Sequence, residues 1–173
     1  MSFRLRTLAL ASLATALLVG PLRADRIDFE LMRQAPKVAS YLSDRGYHNV
    51  GVLTFRMQRG ELKSSLRGAP VCTNMADRLE RALIMSMDPE KPFNIITDAR
   101  NTAGERLARA SYRTAGDRNQ LCGARYKLPL DKPGNSVTAD AFLTGKVWVE
   151  QDYSKVTVAI EAFDKEHPEK FER

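Results

Sequence analysis

The chain has 173 residues, 43% of them hydrophobic and 8% aromatic, which suits one globular domain with a real core and excludes a disordered tail. Its formal charge is +6, but three of the bases, Arg4, Arg6 and Arg23, stand in the first 24 residues, where there is no acid. The remainder carries +3, an ordinary surface without the basic footprint of a nucleic-acid partner.

Residues 1–24 follow the order of an export signal: basic Arg4 and Arg6, an apolar run from Leu8 to Val19, a Gly20-Pro21 break and the small residue Ala24. The run is short for a bilayer span, and no Cys follows it to carry a lipid. Cleavage after about Ala24 is expected to leave a periplasmic or secreted protein with no membrane span. The expected organisation is a signal peptide over 1–24 and a single α/β domain over 25–173. In an oxidising compartment Cys72 and Cys122, the only two cysteines, permit one disulfide or two separate thiols. Their spacing fits no metal motif.

Ile27 to Tyr47 has helical spacing, with Leu31, Val38, Tyr41 and Leu42 on one stripe and Gly46 placed to stop it. Pro36 predicts a break near Ala35 or a fresh start there. Val50 to Arg56 is rich in β-branched and aromatic residues and reads as a strand. Met57 to Val71 reads as a loop, with Gly60, Gly68, Pro70 and basic Arg59, Lys63 and Arg67. Its glycines form neither a dinucleotide fingerprint nor a Walker pattern. Thr73 is placed to cap a helix running to about Met87, with Met75, Leu79, Ala82, Leu83 and Ser86 inward. Met75, Met85 and Met87 read as core filler, since no His or Cys stands at ligand spacing beside them. Asp88-Pro89 ends that helix.

Phe93 to Thr97 reads as a short buried strand and Thr102 to Tyr112 as a short amphipathic helix. Ala115 to Asp140 reads as a long connection with a turn of helix near Arg118 to Cys122, because Pro129, Pro133 and Gly134 forbid a central strand. From Asp140 to Asp164 two runs alternate strictly, Leu143, Gly145, Val147 and Val149 on one face and Val156, Val158, Ile160 and Ala162 on the next. They predict a hairpin with a loop from Asp152 to Lys155. That loop sets Gln151 against Val156, Val149 against Val158, Val147 against Ile160 and Lys146 against Glu161. The inward positions Leu53, Phe55, Leu79, Leu83, Ile95, Ile96, Val147, Val149, Val158 and Ile160 are expected to share one core.

The resulting order is αβαβαββ, an α/β chain in two or three layers with a mixed, mainly four-stranded sheet ending in a β-hairpin. It resembles the amino-terminal-type α/β domain of the curli-secretion channel subunit CsgG and the TolB translocation protein. The likeness rests on VASYLSDRGYHNVGVLTF, TNMADRLERALIMS, PFNIITDAR and DAFLTGKVWVEQDYSKVTVAIEAFD, within residues 37–164. The acylated amino-terminal Cys and the barrel-forming strand insertions of CsgG-like channels are missing, so pore formation does not carry over. What the resemblance implies is a non-catalytic envelope module for protein interaction or assembly, without cofactor or metal. Lys165 to Arg173 begins like a turn into a further strand, so this is the front piece of a longer chain or a domain with an open sheet edge.

An exported hydrolase is the alternative, built on Asp98, His48 and a serine, with His167 in the charged tail the second of two histidines. Neither histidine has a Ser or Cys partner at a known spacing, and no Gly-x-Ser-x-Gly elbow occurs. The opposite face of the hairpin is the more informative feature. Phe142, Trp148 and Phe163 stand there among Thr144, Lys146, Glu150, Thr157 and Glu161, as either a surface for a protein partner or second copy, or a face covered by the first helix through Val38, Tyr41 and Leu42.

Overall fold

The structure, a computed structural model, describes residues 22–65, 69–96, 99–106, 112–128, 136–152 and 154–172. They form α1 (Leu22–Asp44), β1 (Asn49–Val52), β2 (Arg56–Arg59), α2 (Ala69–Ser86), β3 (Asn94–Ile96), α3 (Ala99–Arg106), α4 (Ala115–Gly123), β4 (Ala141–Val149) and β5 (Val156–Asp164). This is a mixed α/β fold around one five-stranded sheet.

The helix boundaries have local causes. In α1, Pro36 does not break the helix. It is exposed, and the carbonyl it leaves unbonded belongs to Met32, also on the solvent side, where water can serve it. Gly46 ends the helix at φ 71°, with its N–H on the Ser43 carbonyl at 2.9 Å and that of Tyr47 on Leu42 at 3.2 Å, the paired bonds of a Schellman stop. The second helix starts one turn before Thr73, with Pro70 in its first turn where a missing N–H is harmless. Thr114, not foreseen as a cap, accepts the Asp117 N–H at 3.1 Å and starts α4.

The sheet has β4 at its centre. On one side it pairs in parallel with β1 through its first half and with β2 through its second, and β3 extends the sheet beyond β1. On the other side it pairs with β5 antiparallel over nine residue pairs. The fourfold sheet expected from the sequence is thus enlarged by β2, which lies where a loop was predicted. Between Val52, opposite Leu143, and Arg56, opposite Lys146, one strand has an extra residue. That bulge divides what reads as one strand into β1 and β2. The Thr54 carbonyl that it releases from the ladder accepts the hydroxyls of Tyr112 and Thr144.

The β4–β5 register is shifted by two residues from the expectation. Val149 lies opposite Val156, Val147 opposite Val158, and Glu161 opposite Thr144 rather than Lys146. A shift of two preserves which side chains share a face, so the faces were assigned correctly while the partners were not. The strands are joined by residues 150–155, and the Glu150 N–H on the Lys155 carbonyl at 3.0 Å narrows the loop to residues 151–154, the expected length displaced by one.

Two cores form, one on each face of the sheet. The first joins α1 and α2 to the sheet through Leu31, Ala35, Leu42, Phe55, Leu79, Leu83, Ile95, Leu143 and Val147, with Val149, Val158 and Ile160 partly buried against it. The second joins Leu53, Ile96, Phe142 and Phe163 to α3, α4, Tyr112 and Tyr126. The single core expected from the sequence is corrected accordingly, and Met85 is not core filler, being 75% exposed.

Candidate functional site

Among the described residues, the outer side of β5 carries a run of unmet backbone hydrogen-bonding groups. At the two ends of the β4–β5 ladder, Glu150 bonds Lys155 and Lys165 bonds Asp140. These fix the parity: odd-numbered residues of β5 bond inward to β4, and the even-numbered ones direct their N–H and C=O outward. The even residue Ala162 uses both groups on Glu172, at 2.9 and 2.8 Å. Among the described residues no backbone pairs with the outer side of Val156, Val158 or Ile160. An unpaired edge of this kind is a template for another strand.

Beside that edge runs an apolar groove. The first helix packs against α2 rather than centrally over β5, which leaves two adjoining hollows of about 410 and 610 Å³ between helix and strand. Val38 and Gln34 form the helix wall of both, and Ile160 lies on the floor. Val156 at the mouth is 47% exposed. Two charges of opposite sign stand on the rim, Glu30 at one hollow and Lys37 at the other. The Glu30 carboxyl is held below its ordinary value by a hydrogen bond from Arg33, 2.7 Å away. Among the described residues Lys37 and Lys155 have no ion-pair partner.

The groove is closed at one end by the carboxy-terminal strap. Glu172 accepts from the Tyr41 hydroxyl and from Arg45 at 3.0 Å. Burial and then the hydrogen bond to Glu172 push Tyr41 up to about 12. Tyr47 donates to Asp164 at 2.6 Å and is likewise raised, by burial first and then by that carboxylate. Burial alone would raise Asp164, but Tyr47 and the amides of His167 and Glu166 outweigh it and hold the carboxyl below its usual value. Asp140 behaves alike. Burial opposes its charge, while Lys165 at 2.6 Å and the amides of His48 and Asn49 at 2.9 and 3.0 Å hold its pKa low.

The opposite face holds the aromatics singled out in the sequence, and the structure corrects its expected cover by the first helix and removes Phe142 and Phe163 from the expected contact surface. Phe142 and Phe163 are 0% and 2% exposed, stacked at 5.3 Å in the second core. They are beyond a partner's reach. Only Trp148 remains half-buried on that face, with the Lys146 ammonium 4.5 Å from its ring centroid. The first helix does not cover this face. Val38 and Tyr41 line the groove on the other side, with Leu42 in the first core.

Sequence reasoning missed a buried polar cluster above Phe163. Glu161, 2% exposed at its side chain, pairs with Arg56 at 2.5 Å. The Arg56 and Arg118 guanidiniums lie 5.5 and 4.5 Å from the Phe171 ring centroid, so two cations contact the strap's phenyl ring. Arg118, itself 4% exposed, donates to the carbonyls of Tyr112 at 2.9 Å and Arg113 at 3.0 Å and to that of Pro168. Burial lowers its pKa. The available signal was a lone acid among apolar residues, Glu161 in VTVAIEAF, which requires a buried base.

The remaining candidates are dispersed. Cys72 and Cys122 are free and buried, one in each core and therefore on opposite faces of the sheet, which corrects the disulfide alternative. Burial raises both thiols, Cys122 to about 11, far from the thiolate that reactive chemistry needs. His48 is exposed at the start of the sheet and His167 lies in the strap, 3.8 Å from Asp164. Asp98 lies outside the described residues. Among the described residues no group of three or more His, Cys, Asp or Glu is placed to hold a metal ion, and no helix is long and apolar enough to cross a membrane. Compared with protein-family models, curated proteins and solved structures, the chain matches none.

Proposed function

We propose that the chain is an exported, non-catalytic interaction module of the cell envelope, and that its contact surface is the outer edge of β5 with the groove between β5 and α1. The observation that carries this is the alternation along Val156, Val158 and Ile160. Their outward backbone groups lie beside apolar side chains and a groove that all three residues line. Strand addition uses both at once, with main-chain bonds for affinity and alternate side chains for selection. The export half of the proposal is supported by the order of charges and apolar residues over 1–24. The interaction half is supported also by the resemblance of residues 37–164 to CsgG-like envelope modules.

A photo-cross-linking residue installed at Val156 in the full chain, in cells that express it, tests the surface. The same group at Arg81, exposed on α2, is the control. Adducts from position 156 and none from position 81 are expected. Equal yields, or none from either, would contradict the reading.

A further inference from the structure

We propose that the partner taken by the β5 edge is a second copy of this chain, joined about a twofold axis through Val158. This rests on the interaction reading above and names its occupant.

The free window is self-complementary. Centred on Val158, an antiparallel pairing sets Val156 opposite Ile160 of the second copy, Val158 opposite its own equivalent, and Ile160 opposite Val156. These are the three residues whose N–H and C=O point outward, so the register joins hydrogen-bonding positions to hydrogen-bonding positions. Shifting the register by two residues in either direction leaves one of these three outward residues without an outward partner. The strap sets the limit of the window, because Glu172 already occupies the outer side of Ala162.

The helix wall obeys the same symmetry. Gln34 lines the groove together with Val156, Val158 and Ile160, the three residues that face the proposed axis. Two α1 helices related by an axis near Gln34 run antiparallel, and each places Glu30 toward Lys37 of the other. Both residues stand on the groove rim, and Lys37 is without an ion-pair partner among the described residues. A twofold contact requires that a surface complement itself. Two independent elements, strand and helix, satisfy that requirement about one common point. The joined sheets would run through both copies, and Val156 would leave solvent.

Sedimentation velocity over a concentration series tests this on the purified full chain and three variants. The wild type is expected to dimerise reversibly. Val158→Pro removes the central outward N–H, which has no partner among the described residues, and is expected to abolish dimerisation while the thermal midpoint still shows cooperative unfolding. Glu30→Lys places like charges at both symmetric contacts and is expected to weaken dimerisation about tenfold, a difference of about 1.4 kcal/mol. The reversed pair E30K/K37E is expected to recover it. A monomeric wild type at every concentration overturns the proposal, as does a dimer indifferent to Val158→Pro or one in which the reversed pair fails to rescue. The cross-linking experiment at Val156 separates the two failures. Adducts with the mass of a different protein overturn self-pairing and leave the interaction surface standing, whereas no adduct at all removes both.

Discussion

The Arg56–Glu161 pair shows how residue-scale electrostatics organise the second face of the sheet. Glu161 is excluded from water in β5, and the Arg56 guanidinium pairs with its carboxylate there. Arg56 in turn has its Nε buried without a partner, and its remaining stabilisation comes from Glu161 and the rings of Tyr112 and Phe171. Removing one partner leaves a buried charge uncompensated. Glu161→Ala is therefore expected to lower stability by about 3–5 kcal/mol, read from chemical denaturation. Replacing both groups, as in R56M/E161L, is expected to be close to neutral. Equal losses in the two variants would show that the cluster is held by packing and not by charge. The sequence shows the lone acid in VTVAIEAF, but it does not show that its base comes from Arg56, 105 residues away. Lys146 is nearer in sequence and, with the register displaced by two, stands opposite Ala159 instead.

At the scale of elements, the bulge between β1 and β2 explains much that the sequence hides. The run VGVLTFR has β propensity throughout, and nothing in its composition marks an interruption at Leu53 to Phe55. The extra residue sends Leu53 to one core and Phe55 to the other, and two glycines make room for the aromatic rings beside the break. A Cβ on Gly51 would stand 2.5 Å from Phe142, and one on Gly145 would stand 2.2 Å from Phe55 and 2.4 Å from the Ala159 carbonyl oxygen. The second contact is with backbone and has little freedom to move. Gly145→Ala is accordingly expected to destabilise by about 1–3 kcal/mol through overpacking, with a matching fall in thermal midpoint. An unchanged midpoint would mean that Phe55 packs elsewhere. The strong helices and the alternating strands were legible because their periods are local. The bulge, the β2 pairing and the start of α2 depend on distant partners, and were not.

Among the described residues the sheet carries a core on each face, and the outer side of β5 is unpaired before Ala162. Asp140 and Asp164 tie its parts together. Asp140 holds the start of β1 and Lys165 at the end of the β5 ladder, and Asp164 holds Tyr47 and the strap. Both carboxyls titrate below their ordinary value. Their contribution is therefore complete above the unfolded value of about 4 and is lost as pH falls through the lower folded values. The thermal midpoint is expected to drop as pH falls below about 4, and that of Asp140→Asn to drop less over the same range because part of the loss has already occurred. Equal slopes would exclude Asp140 as a contributor. The two faces of the hairpin were readable from alternation alone, since a displacement of two residues leaves them intact. Which face the first helix covers was not, because Val38, Tyr41 and Leu42 would suit either sheet surface.

The central claim, that β5 keeps an open outer edge for a partner, is tested most directly by amide hydrogen exchange resolved at single residues. In dilute protein the account predicts an alternation, with the amides of Thr157, Ala159 and Glu161 protected by β4 and those of Val156, Val158 and Ile160 exchanging rapidly. Protection should spread to the even-numbered amides on concentration. Uniform protection of all six at every dilution would contradict it, because the edge would then already be paired within the chain.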